Sequence, residues 1–371
     1  MKQLLSFILI TIFFIGCSVK EQKVQIKLPE KNNIDSLSQP KVDIIDEKID
    51  SFNGLNIIED NVPIFSNNEV MKVAFIYPSK LVGNYAKSSM NTILGYFDYK
   101  KIKYDIKVFD TLNEEEIGVR DAFKSAKDEG FTNVLALFTP RVIPFIHTLD
   151  TSDLKIYLPL TNKDNFGSTN YNFIYGSISY EDQIRKLLDY SNTNNTMFYQ
   201  ESFLGTKIKA LYDSTAVDVK VVKEIKKDRN YFKGIVKDYR INNSTLFLNT
   251  PIVKTSILLS QLRAYDIYPK VILSTQVNYN PKILTLTQVK DRSNFVVANS
   301  IDNVDDNLRD SINTYGADII YNWVDYSTLI GINYLYDENR SGLIETKIVD
   351  NQVMYEPKLY ITTSYGFSQI K

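Results

Sequence analysis

Cysteine, histidine, tryptophan and glycine are all scarce in this 371-residue chain, which has one Cys, one His, one Trp and 14 Gly. A single cysteine, Cys17, excludes an intrachain disulfide, and a single histidine, His147, removes the usual base of a serine or cysteine hydrolase. The sequence also lacks a histidine pair, a calcium-loop pattern and a glycine-rich phosphate loop. It therefore predicts no enzyme activity, no metal and no cofactor.

Charge excludes another class of function. The formal net charge is −1, with 23% charged residues, whereas a nucleic-acid-binding protein needs a clearly basic face. The 44 acidic residues leave a glycosidase-like carboxylate pair open, but Glu114–Glu116 and Asp305–Asp306 have the pattern of acidic first turns of helices. His147 lies between apolar neighbours in a helix-like segment, which favours a structural role.

The N-terminus carries a secretory pattern. Lys2 precedes an apolar run from Leu4 to Ile15, which is shorter than the ~20 residues that a membrane-spanning helix needs. The run ends in Phe14-Ile15-Gly16-Cys17, which resembles the lipobox of bacterial lipoproteins, although Phe14 stands where Leu is usual. The resemblance implies a signal peptide over 1–16 and lipid on Cys17, and Ser18 favours the outer membrane. The alternatives are a plain secreted protein with a free thiol, or a cytosolic protein with an apolar N-terminus.

Residues 17–69 mix charges, Asn, Ser and Pro, and such a segment buries too little apolar surface to fold by itself. We expect a flexible tether with a coil reach of roughly 40 Å. Its attachment to lipid at Cys17 would make the membrane a partner and place the protein in the cell envelope.

From Val73 onward, short apolar runs alternate with amphipathic stretches, which is typical of a doubly wound α/β sheet. The alternation restarts near residue 180, so we predict two lobes joined by multiple crossovers, each with a mainly parallel sheet. Lobe one is expected over 70–178 plus 302–340, and lobe two over 179–301 plus 341–371. The predicted strands are 73–77, 104–110, 133–138, 155–160, 196–200, 219–225, 245–249, 270–275, 294–301, 343–349 and 358–367.

Four segments in order resemble type I periplasmic-binding proteins, especially the leucine/isoleucine/valine-receptor-like branch and LpoA-like activators of penicillin-binding proteins. The first strand and helix follow the family pattern through Pro78, Gly83, Ala86 and Gly95. The other segments are the crossing stretch 172–191, the Leu204-Gly205 helix start, and the closing run 338–367. The resemblance implies the two-lobed fold of that family and names no ligand.

The resemblance also implies a cleft between the lobes, lined by loops that follow the strands. Lobe one would contribute Ser79, Lys80, Thr139, Arg141, Thr161 and Asn162, and lobe two Glu201, Ser202, Phe203, Thr250 and Thr275. Pro140 removes an N–H donor that an amino-acid head group would use. Arg141 could clamp an anion or fill the cleft with a salt bridge. Each residue could equally be an ordinary loop residue at a helix start.

Two functions remain open. The first is a lipid-anchored interaction or regulatory module that docks onto another envelope protein, such as the machinery of cell-wall synthesis. The second is a receptor that binds an amino acid or other small anion in the interlobe cleft and serves a transporter or sensor. Only the resemblance in fold supports this second function.

Overall fold

A computed structural model describes residues 70–166, 171–229, 231–338 and 340–371. The predicted signal peptide, Cys17 and the tether lie outside these residues. The described chain forms two seven-stranded sheets, each covered by helices on both faces. No helix among the described residues is both long enough and apolar enough to cross a bilayer.

The first sheet takes five strands from the start of the described chain and two from near its end. They are β1 (Met71–Tyr77), β2 (Tyr104–Asp110), β3 (Asn133–Ala136), β4 (Lys155–Leu158), β5 (Phe173–Tyr175), β11 (Lys347–Val349) and β12 (Gln352–Met354). Their spatial order is β2-β1-β3-β4-β5-β12-β11, and all neighbours are parallel except β12 and β11.

The second sheet has the order β7-β6-β8-β9-β10-β13-β14, and its first five strands repeat the arrangement of β2-β1-β3-β4-β5, although the sequence shows no matching repeat. Its last two neighbour pairs are antiparallel. The strands are β6 (Asn195–Gln200), β7 (Val219–Ile225), β8 (Thr245–Asn249), β9 (Val271–Ser274), β10 (Phe295–Asn299), β13 (Lys358–Thr362) and β14 (Phe367–Gln369).

Among the described residues, five helices cover each sheet. Those on the first are α1 (Ser79–Lys100), α2 (Glu116–Asp128), α3 (Ile143–Ile146), α9 (Asp306–Thr314) and α10 (Trp323–Asp337). Those on the second are α4 (Tyr180–Tyr190), α5 (Phe203–Thr215), α6 (Lys233–Val236), α7 (Ile252–Ala264) and α8 (Lys282–Leu286). Short 3₁₀ turns lie at Lys163–Asn165, Tyr239–Ile241, Gln276–Asn278 and Val289–Asp291.

The sheets form because their central strands are buried on both faces, which is why those strands read as continuous apolar runs. Helices pack in turn on the apolar faces. Gly95 lets α1 approach α9 closely, since a Cβ there would lie 2.6 Å from the Ile312 Cα. Two buried clusters thus flank each sheet, and each lobe has three layers.

Three details of the prediction are wrong. The strand predicted over 358–367 divides into two strands, β13 and β14. Residues 347–354 pair with the first sheet rather than belonging to lobe two, since Gln352 lies beside Tyr175 and Val353 packs in the first core. The helix predicted from Glu114 begins at Glu116, which frees Glu114 for another contact.

Three crossovers connect the sheets, following β5, β10 and β12. Side chains tie them together. The Tyr355 hydroxyl donates to the Gly176 carbonyl at 2.6 Å, which joins the first and third crossovers. Asp302 pairs with Lys358 at 2.8 Å and accepts from the Thr346 hydroxyl at 3.0 Å, which joins the second and third. The first two crossovers leave their sheets at carboxyl ends of parallel strands, which is the edge where doubly wound sheets bind ligands.

Candidate functional site

The first predicted cleft loop is already engaged by the protein's own carboxylate. Asp110, at the end of β2, accepts from the backbone N–H of Ser79 at 3.0 Å and from that of Leu112 at 2.8 Å. Partial desolvation would raise the pKa of the Asp110 carboxyl, but the hydrogen bonds from Ser79 and Leu112 outweigh it and lower the pKa. The Ser79 N–H at the start of α1 therefore has a partner within the chain.

In the second predicted cleft loop, which follows β3, a side-chain carboxylate of the protein itself takes the place that a ligand carboxylate would have. Both oxygens of the Glu114 carboxylate are engaged by Thr139, one by its backbone N–H and one by its hydroxyl, each at 2.6 Å. Thr139 thus makes a two-point contact of the kind a free carboxylate would receive from a hydroxyl and an adjacent N–H. Glu114 was predicted to lie in a helical first turn. The signal for its actual contact is topological, since the loops after β2 and β3 flank β1 at one edge.

The third loop of lobe one turns inward. Thr161 is fully buried, and its hydroxyl donates to the Phe138 carbonyl at 3.2 Å. The Asn162 side chain accepts from the Asp164 N–H at 2.9 Å, where it begins a short 3₁₀ turn. These two residues support the loop and stabilise its backbone.

In lobe two as well, predicted site residues are bonded to other residues of the chain. Ser202 begins α5, and its hydroxyl oxygen accepts from the Gly205 N–H at 3.0 Å. Glu201 pairs with Lys226 at 3.0 Å, and the hydrogen bond from Lys226 is the main cause that lowers the pKa of the Glu201 carboxyl. Both side chains of the pair are about half exposed, so the contact adds little stability.

Two further candidates in lobe two lie in the interior. Thr275 is fully buried and donates its hydroxyl to the Asn249 Oδ1 at 2.7 Å. Thr250 is also buried, and its hydroxyl lies 2.8 Å from that of Thr255. Neither can contact a ligand without a change in the loop.

Three of the predicted site residues, Lys80, Arg141 and Phe203, lie exposed at the surface, and the charge of Lys80 helps to lower the pKa of the Asp110 carboxyl. Lys80 and Arg141 are exposed, and their side chains make no hydrogen bond or ion pair with the residues that the structure describes. Phe203 is 83% exposed at the start of α5, and Leu81 and Tyr85 on α1 are about half exposed. The open part of the site is therefore cationic and apolar.

An aromatic contact joins the lobes. Tyr321, in the loop before α10 of the first lobe, lies 5.5 Å from the Tyr279 ring and 6.4 Å from the Phe367 ring of the second. The Asp318 carboxylate holds this loop by accepting from the Ile320 and Tyr321 N–H groups at 3.0 Å each. The sequence had not indicated this contact, because its members are far apart along the chain.

The loop that carries Tyr321 also contacts a buried acid. One Asp325 oxygen accepts from the Ser88 hydroxyl at 2.6 Å and from the Asp318 N–H at 3.0 Å. Burial raises the pKa of Asp325 to about 6, against the bonds from Ser88 and Asp318 that lower it. At neutral pH the folded state therefore contains a buried, ionised carboxylate, and the desolvation of this charge lowers the free energy of unfolding.

We expect Asp325→Asn to remove one component of the pH dependence of stability. A carboxyl whose folded pKa exceeds its unfolded value of ~3.9 stabilises the fold as pH falls through the folded pKa. The wild type should gain about 1 kcal/mol from this group between pH 7.5 and 5, and the variant should not. Denaturant unfolding at both pH values measures it, with the exposed Asp189→Asn as control. Equal pH dependence in Asp325→Asn and wild type would refute the assignment.

His147 is structural, as its sequence context suggested. Its Nε2 lies 2.8 Å from the Tyr175 hydroxyl oxygen, and its ring packs edge-on against Phe173. Burial lowers the pKa of the imidazole. Across the described ranges, no cluster of three or more His, Cys, Asp or Glu side chains could hold a metal ion.

Comparison with known proteins finds relatives in structure but not in sequence. No protein-family model matches the chain, and neither does any curated protein. Isoleucine-bound LivJ of Streptococcus pneumoniae, a branched-chain amino-acid substrate-binding protein, superposes with a TM-score of 0.57 at 9% identity, covering 81% of this chain and 100% of its own. A 4-hydroxybenzoate-bound solute-binding protein of R. palustris gives 0.58 at 8%, covering 82% and 96%.

The same fold occurs in a regulator. The C-terminal domain of LpoA from Haemophilus influenzae, a regulator of PBP1A, superposes with a TM-score of 0.54 at 12% identity, covering 81% of this chain and 100% of that domain. The chain therefore has the two-lobed type I periplasmic-binding-protein fold, and the predicted fold class and both resemblances are confirmed. These relatives are binding proteins and a regulator.

Proposed function

We propose that this chain is a lipid-anchored lipoprotein of the cell envelope that acts as a protein-interaction or regulatory module. The observation that carries the proposal is the Glu114–Thr139 contact, in which the protein's own carboxylate takes both donors that a small carboxylate would need. Asp110 does the same at Ser79. A cleft whose donors are already satisfied gains little from a free amino acid, since every new bond replaces an existing one.

The surface that stays open suits a protein better than a small solute. Phe203, Leu81 and Tyr85 are exposed and apolar, and aromatic side chains are enriched at protein interfaces. The partner would be another envelope protein, and the fold shared with a PBP1A regulator makes cell-wall synthesis one candidate setting. We place the protein on the periplasmic side of the outer membrane, held there through Cys17.

The second candidate is a solute receptor for an amino acid or other small anion that serves a transporter or sensor. Arg141 favours it, because an exposed guanidinium without a partner among the described residues is free to receive a carboxylate or phosphate. Solved proteins with this fold bind isoleucine and 4-hydroxybenzoate.

A melting experiment separates the two candidates. We expect no amino acid or small carboxylate to raise the melting temperature of the wild type, whereas a ligand at 100 times its Kd would add ~2.7 kcal/mol. In Glu114→Ala, by contrast, the freed N–H and hydroxyl of Thr139 should donate to an added carboxylate, so acetate should raise the melting temperature. Glu115→Ala, an exposed neighbour, is the matched control and should not respond.

The outcomes point in different directions. A wild-type shift with an amino acid would overturn the proposal in favour of the receptor. A response to acetate in Glu115→Ala equal to that in Glu114→Ala would show that Glu114 does not occupy the donors of Thr139.

A further inference from the structure

A cavity lies at the edge of the first sheet where β1, β2 and β3 begin, opposite the carboxyl ends of these strands. Its volume is about 480 Å³, and its lining includes Val70 and Met71 at the start of β1 and Ile102 in the turn after α1. Leu335 and Tyr336 of α10 contribute an apolar side of the lining. None of the residues of the predicted cleft takes part in it.

Four lysines line this cavity, namely Lys72, Lys100, Lys101 and Lys103, and no acidic residue does. Lys101 pairs with Asp98 at 3.1 Å, and the Lys72 ammonium lies 5.9 Å from the Phe131 ring. Lys100 and Lys103 have neither a hydrogen bond nor an ion pair through their side chains among the described residues. Lys100 and Lys103 therefore bring two positive charges to the lining without an ion-pair partner among the described residues.

The backbone holds these lysines in place. Helix α1 ends at Lys100, and Lys101 adopts a left-handed conformation with φ 56° that reverses the chain. The Lys103 carbonyl then accepts from the Met71 N–H at 2.9 Å, which ties the turn to the first strand. The Lys72 carbonyl accepts from the Asn133 side chain at 3.2 Å. The cluster thus belongs to a fixed turn and two strand starts.

Neutral donors complete the lining. Thr132 and Tyr336 each contribute a hydroxyl, and both residues are exposed to solvent. A phosphate group needs several donors around one or two negative charges, and lysine binds it as a compact point charge. A single carboxylate would leave most of the positive charge uncompensated.

We propose that this lysine cavity binds a phosphate-bearing anion, such as a pyrophosphate or a phospholipid head group. The inference is independent of the cleft and of the role proposed for it. We expect the affinity for the anion to rise at low salt, because exposed charges are screened within about 10 Å at 0.1 M ionic strength.

The probe for the soluble source is sodium pyrophosphate, titrated calorimetrically into the full chain. We expect saturable binding that Lys100→Glu/Lys103→Glu weakens at least tenfold. The probe for the lipid source is vesicles of phosphatidylglycerol against vesicles of phosphatidylcholine, with the Cys17→Ser chain so that no acyl chain contributes. Binding to the anionic vesicles alone, lost in the same double variant, assigns the lipid source.

A matched variant controls for net charge. Lys237→Glu/Lys282→Glu makes the same charge change on exposed lysines of the second lobe and should retain wild-type binding. Lys100→Gln/Lys103→Gln tests the site again if the glutamates disturb folding. The proposal is overturned if neither probe binds the wild type, or if both charge-reversed pairs lose binding equally.

Discussion

Cys17→Ser should move the protein from the detergent phase to the aqueous phase, because it removes the site of the lipid anchor. The chain offers one thiol for lipid, and no helix among the described residues is long and apolar enough to cross a bilayer. Each acyl chain contributes ~0.8 kcal/mol per buried CH₂, and stable anchoring takes more than one chain, so losing the modified thiol removes all of it. Detergent-phase partitioning of wild type and variant measures the effect.

The neighbouring Ser18→Ala is the control, since it keeps the thiol and should partition like the wild type. Two results would contradict the lipoprotein prediction. One is a Cys17→Ser protein that still enters the detergent phase, and the other is a purified wild type that retains residues 1–16. Cys17 lies outside the described residues, so this prediction depends on the sequence pattern.

Gly205→Ala should destabilise the second lobe by about 3 kcal/mol, the upper range for overpacking. A Cβ at this position would lie 1.9 Å from the Gln200 carbonyl oxygen, which is backbone and cannot rotate away. The Gly205 N–H also donates to Ser202 at the start of α5, so opening the turn breaks that bond. Calorimetric melting measures the loss.

Gly83→Ala is the matched control within the same family pattern. No atom lies within 4 Å of a Cβ built there, and Gly83 is inside α1. Alanine should therefore stabilise by up to ~1 kcal/mol through helix propensity and a less flexible unfolded chain. If both variants melted alike, the close contact at Gly205 would not be what requires glycine.

The comparison of these glycines shows the limit of a sequence pattern. Gly83, Gly95 and Gly205 carry the family resemblance equally in the sequence. In the structure Gly95 is required by the approach of α9, Gly205 by a backbone carbonyl, and Gly83 by no contact. The approach at Gly95 joins segments more than 200 residues apart, and local sequence contains no record of such a neighbour.

The sequence indicated where the candidate residues lie relative to the strands, but not which contacts their side chains make. Strand ends and helix starts can be read from apolar runs and turn residues, and Ser79, Thr139 and Ser202 lie within three residues of the ends of β1, β3 and β6. Whether a hydroxyl faces the crevice or the interior depends on the exact end of a strand. Thr250 and Thr275 follow buried strands by one residue and are buried with them.

The sequence by itself determined the alternation of strands and helices, the two lobes and the scarcity of catalytic and metal-binding side chains. These follow from local periodicity and composition. Only the tertiary structure decided that β11 and β12 complete the first sheet, that Tyr321 contacts the second lobe, and that Glu114 occupies Thr139. Those contacts depend on which distant segments become neighbours, and the free energy that selects them comes from burial and hydrogen bonding across the whole fold.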